Sequence, residues 1–97
     1  MTVQANAILS TVAKELCISE DDLLRQGLCS FLERQLRQVK ADIFEISGRY
    51  DGCSVEEMEA RYRVGTLEEA DSWRDLQRLD HLEYKRDRLL QLLEAVA

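Results

Sequence analysis

One histidine, three cysteines and nineteen carboxylates are the side chains of this 97-residue chain best suited to acid–base, nucleophilic or metal chemistry. His81 lies between Asp80 and Leu82, with Tyr84 three residues on. A histidine beside a carboxylate can serve as a general base. Base catalysis also needs a site that holds a substrate, and a chain of this length buries one modest core without room for a deep cleft. His81 is therefore expected to face solvent or an interface. Cys17, Cys29 and Cys53 form no C-x-x-C pair, and no Cys/His cluster has metal-ligand spacing. Cys17 and Cys29 read as small helical core residues and Cys53 as a turn residue. No serine or cysteine sits in a nucleophile motif, and there is no Gly-rich phosphate loop. No catalytic, cofactor-binding or metal-binding residue is assigned, and the chain reads as a non-enzyme.

The carboxylates are the more informative set. Between Asp51 and Asp71 the chain places seven acids against two bases, Arg61 and Arg63. One reading is an acidic patch that docks on a basic partner surface. The other is that first-turn acids and caps account for Glu56, Glu57, Glu68 and Glu69 without any partner. The whole chain carries a net charge of −6. Residues 1–50 hold six basic and seven acidic residues, and residues 51–97 hold seven and twelve. An acidic chain lacks the positive field that drives counterion release from a phosphate backbone; a basic partner is easier to accept.

The elements that position these residues are helices. Proline is absent and glycine occurs four times, which argues against a turn-rich β architecture. Ser19-Glu20-Asp21-Asp22 puts a capping hydroxyl three residues before a carboxylate, with Ile18 and Leu23 placed as a hydrophobic staple. Ser54-Val55-Glu56-Glu57 repeats the pattern with Cys53 and Met58, and Thr66-Leu67-Glu68-Glu69 repeats it without a staple. The first helix is predicted over Ala5–Leu16, with Ile8, Leu9, Val12, Ala13 and Leu16 on its apolar face. A second runs from about Glu20 to Ser47, roughly 42 Å long. Its early stripe is Leu24, Leu28, Phe31 and Leu32; Leu32, Leu36, Val39, Ile43 and Ile46 then make a coiled-coil seam. Gly48 and Gly52 mark a turn, and a short helix follows over Val55–Val64. Residues 66–71 are a turn or a helical stub. The last helix is predicted from Asp71 or Ser72 to about Ala95, ~37 Å, with Leu79, Leu82, Leu89, Leu93 and Val96 on its seam and Arg86 interrupting it. Two long helices of similar length joined by a compact helical connection predict an antiparallel hairpin.

Two resemblances add to this. The stretch Val12-Ala13-Lys14-Glu15-Leu16-Cys17-Ile18-Ser19, continuing through Leu23-Leu24-Arg25-Gln26-Gly27-Leu28-Cys29-Ser30-Phe31-Leu32, resembles the two helices of ribbon-helix-helix proteins. Cys17 stands where the turn glycine is usual and Gly27 where alanine is usual. That family reads DNA through a basic strand ahead of the first helix; here residues 1–6 contain no Lys or Arg. The layout of the whole chain, with "SVEEMEARYRVG" and "SWRDLQRLDHLEYKRDRLLQLLE" after the N-terminal pair, resembles small prokaryotic antitoxins. The resemblance implies an N-terminal unit that dimerises and an acidic helical remainder that neutralises a toxin, commonly an RNase.

The sequence reading is thus one all-α domain over residues 1–97. Residues 1–32 form a ribbon-helix-helix-like dimerising pair, and residues 33–97 form a helical hairpin. The expected function is a non-enzymatic protein-interaction module, antitoxin-like, that binds a basic toxin. A DNA-binding regulator with a shortened arm and a structural coiled-coil adaptor are the alternatives. A homodimer is expected through Leu24, Gly27, Leu28 and Phe31, with Gly27 admitting a close backbone approach. A partner surface is expected at Glu56, Glu57, Glu59, Tyr62, Trp73 and Leu76. No cofactor is expected. The first residues carry no basic charge and the Ala7–Ala13 run is broken by Ser10 and Thr11, which predicts a chain without a secretion signal or membrane span, cytoplasmic and with reduced thiols.

Overall fold

The structure, a computed structural model, describes residues 4–97. It is all-α, with no strand among the described residues: α1 (Ala5–Glu15), α2 (Glu20–Ser47), α3 (Val55–Arg63) and α4 (Glu69–Val96), with a 3-10 turn at Gly48–Tyr50. Helices α2 and α4 are each 28 residues long and pack against each other as an antiparallel hairpin. The direction is fixed at both ends. Arg49, just past α2, pairs with Asp75 near the start of α4. Leu24 and Leu28, early in α2, share a surface depression with Ala95 and Val96 at the end of α4. Where ribbon-helix-helix proteins carry their basic strand, Ala5 and Asn6 already belong to α1, as predicted, and residues 1–3 lie outside the described residues.

The core is a single seam. Leu32, Leu36, Val39 and Ile46 of α2 meet Leu79, Leu82 and Leu89 of α4, and Cys53, Val55 and Met58 cap the cluster from α3 and its approach. Ile43, Leu76, Leu93 and Val96 pack along its edge. Arg86 does not meet a buried carboxylate: it lies at the edge of the seam, its Nε donating to neighbouring Asp87 at 3.0 Å, so its aliphatic stem packs while its head stays wet.

Helix ends explain the punctuation. Ser19 Oγ accepts from Asp22 N–H at 3.0 Å, and Ser54 with Glu57 forms a complete reciprocal box. The third box does not form. Gly65 adopts a left-handed conformation and Thr66 N–H reaches back to the Arg61 carbonyl at 3.0 Å. Thr66 therefore closes α3 in a Schellman motif instead of opening α4, and α4 begins at Glu69, two residues before the predicted start. The α1–α2 turn uses the same motif, with Ile18 N–H on the Ala13 carbonyl at 3.0 Å and Cys17 in the left-handed position at φ 55°. The cysteine assignments change accordingly: Cys17 is an exposed turn residue, Cys29 is half-buried and Cys53 is in the core. No described helix is long and apolar enough to cross a membrane.

The molecule is long and thin, 62 × 31 × 16 Å. Its radius of gyration is 19.8 Å, against about 13 Å for a compact chain of this length.

Candidate functional site

The reactive side chains are not assembled into a site. His81 is exposed on α4. The three thiols are free and lie in three different environments. Among the described residues no three His, Cys, Asp or Glu side chains converge on a position that would hold a metal. What the fold does assemble is a polar clasp at the closed end of the hairpin and two surfaces on either side of it.

The clasp is built across 25 residues of sequence. Tyr50 Oη and Arg49 Nη1 both donate to the Asp75 carboxylate, Arg49 at 3.3 Å to each oxygen. Arg49 also pairs with Glu45 at 3.6 Å. The hydrogen bond to Asp75, then desolvation, push the Tyr50 hydroxyl up to about 12 from its ordinary 10.0, because the neutral phenol is the form that donates. Beside it, Ser72 Oγ donates to the Glu68 carbonyl at 2.7 Å, which leaves it to accept from Tyr62 Oη at 2.6 Å. Glu83 of α4 accepts from the Val55 N–H at 3.2 Å, satisfying a first-turn amide of α3 with a carboxylate, where the helix dipole favours one. Every buried side-chain polar atom described has a partner. Sequence reading names neither Asp75 nor Glu83, because their partners are 25 to 28 residues away and on other elements.

The first surface is acidic. All seven acids from Asp51 to Asp71 are exposed. Among the described ion pairs only Asp51 is matched, with Arg61 at 3.7 Å. Val64 stands among them in sequence and Trp73 just after them, with 72% and 43% exposure, and the Arg74 guanidinium lies 6.0 Å from the Trp73 ring centroid. Of the six expected partner residues, Glu56, Glu57, Glu59 and Trp73 are on the surface; Glu57 is in part committed to capping Ser54. Tyr62 and Leu76 are half-buried, one bonded to Ser72 and the other packed on the core.

The second surface is apolar and belongs to the N-terminal arm. Leu24, Leu28 and Phe31 are 50%, 44% and 51% exposed, and Ile8 on α1 is 48% exposed. A shallow depression of ≈ 200 Å³ lies on α1, and one of ≈ 210 Å³ lies between the start of α2 and Ala95 and Val96 at the end of α4. Gly27, between Leu24 and Leu28, has open space where a Cβ would stand, so no close backbone approach within the chain explains it. Phe44, at 79% exposure, is the most exposed large apolar side chain and was not singled out from sequence. Its position directly after Ile43, off the α2 seam, was the available signal.

The chain is thus an elongated all-α hairpin with a half-exposed apolar arm and an acidic closed end. The chain matches the Uncharacterized protein MJ0235 family over residues 1–97 and belongs to that family. No curated protein and no solved structure matches it.

Proposed function

We propose that this chain is a non-enzymatic protein-interaction module that docks a basic protein on its acidic closed end, in the manner of an antitoxin neutralising a basic toxin. The observation that carries the reading is the seven exposed acids of residues 51–71, six of them without an ion-pair partner among the described residues, followed two residues later by an exposed Trp73. Unpaired surface carboxylates raise the local negative potential and speed encounter with a cation-rich surface. An exposed tryptophan supplies the anchor that such interfaces place at their centre. The net charge of −6 favours a basic protein over nucleic acid.

The test begins with capture of a partner on the tagged full-length chain from nuclease-treated native lysate, followed by calorimetric titration of the purified pair. A basic partner is expected, with affinity falling as salt rises. Trp73→Ala and the double change Glu56→Lys/Glu59→Lys are each expected to weaken binding about tenfold or more. An acidic partner, or binding indifferent to salt and to these changes, removes the reading. Leu76→Ala is not a clean probe, because Leu76 packs on the core.

A further inference from the structure

We infer that two copies of this chain associate through an antiparallel crossing of their α2 helices centred on Gly27. The inference uses none of the acidic end and stands apart from the partner reading above.

It starts from a second heptad stripe on α2. Glu20, Leu24, Gly27, Phe31 and Arg34 are spaced by four, three, four and three residues, so they share one helix face. Its centre is not on the stripe buried in the hairpin core, which is Leu32, Leu36, Val39 and Ile46; only Leu24, at its edge, borders Ala95 and Val96 of α4. None of the five is buried. The order of the stripe is self-complementary. A two-fold axis through Gly27 sets Glu20 of one copy against Arg34 of the other, Leu24 against Phe31, and Gly27 against Gly27. The Glu20–Arg34 and Leu24–Phe31 contacts then each occur twice and the Gly27 contact lies on the axis, as an isologous interface requires. Neither Glu20 nor Arg34 has an ion-pair partner among the described residues.

Two further observations select a second copy as the occupant. A glycine inside a helix costs about 1 kcal/mol relative to alanine, and this one has no neighbour in its own chain to make room for. A crossing of two helices at that point gives it one, since the absent side chain lets the backbones approach. The chain also exposes more surface than a finished monomer. A folded protein of its 11.2 kDa ordinarily exposes about 5,700 Å², and this one exposes 7362 Å². The surplus, about 1,700 Å², is in the range that one protomer hides in an obligate homodimer.

Sedimentation equilibrium of the full-length chain tests this. At about 100 μM a mass twice that of the chain is expected. Phe31→Glu is expected to give the monomer mass with its helical circular dichroism kept, because Phe31 is half exposed within one chain. Phe44→Ser, on the same helix but off the stripe, leaves the dimer intact. Glu20→Lys weakens association about tenfold, since the axis repeats the pair, and adding Arg34→Glu restores it. Gly27→Leu abolishes the dimer while raising helix content. A wild-type chain that sediments as a monomer, a mass other than twofold, or a charge swap that fails to restore association overturns the proposal.

Discussion

At the closed end of the hairpin Ile46, Met58, Leu79 and Ser72 are exposed by 2% or less, while in the N-terminal arm Ile8, Leu24, Leu28 and Phe31 keep 44–51% of their surface in water. Both regions are helical, and both carry leucine-type residues at helical spacing. The difference lies in how many layers meet. At the closed end α2, α3 and α4 converge, and α3 lays Met58 over the seam. In the arm, α1 packs on α2 but contributes one buried residue, Ala13, and Leu24, Leu28 and Phe31 of α2 stay about half exposed. Polar groups follow the same division. The closed end ties them across elements through Asp75, Ser72 and Glu83. In the arm the side-chain hydrogen bonds are local, such as Thr11 to Ala7 and Arg25 to Asp21. One end buries its apolar residues within the chain, and the other leaves them about half exposed.

The sharpest way to break this contrast is to remove matched bulk from the two ends. In the monomeric Phe31→Glu background, Met58→Ala is expected to cost about 3 kcal/mol, a transfer term plus a cavity. Leu24→Ala in the same background is expected to cost under about 1 kcal/mol, because half of Leu24 is already in water. Urea unfolding reads both, and equal losses would mean that the arm is as tightly packed as the closed end.

A smaller effect concerns the clasp. Tyr50→Phe removes the hydroxyl from Asp75 and is expected to cost about 1 kcal/mol at neutral pH. Because the Tyr50 hydroxyl titrates at about 12 in the folded chain and ordinarily at 10.0, protonation favours the fold. Its contribution is whole below pH 10 and is lost as pH rises toward about 12. Wild type should lose stability more steeply than Tyr50→Phe over that interval in alkaline urea titrations. Parallel curves would show that the bond contributes nothing in solution.

The smallest expected change is a gain. Cys17 holds the left-handed position of the α1–α2 turn, where a side chain is disfavoured and glycine is not. Cys17→Gly should raise stability by about 0.5–1 kcal/mol, with the gain visible in protection of α1 amides from hydrogen exchange. Loss of α1 protection would show that the Cys17 side chain, though exposed, holds the arm together.

Local signals in the chain determined the helices. The Ser19 and Ser54 caps, the four-and-three spacing from Leu32 to Ile46 and the glycines after Ser47 act within a turn or two, so they can be read one segment at a time. The same local reading gave a third capping box at Thr66 that does not form, because Thr66 suits either the end of one helix or the beginning of the next, and the left-handed Gly65 decides between them. It also assigned the cysteines by composition, where turn geometry put Cys17 outside and the closure of α3 put Cys53 inside. Tertiary structure alone decided which carboxylates are bound and which are free. Asp75 and Glu83 are drawn into the closed end by partners on other elements, whereas the acids of residues 51–71 stay on the surface. It also decided that Gly27 and Phe31 lie off the α2 stripe buried against α4, with Leu24 at the border beside Ala95 and Val96. A helix buries whichever stripe its neighbour reaches, and the length and direction of the hairpin let α4 reach only one of the two.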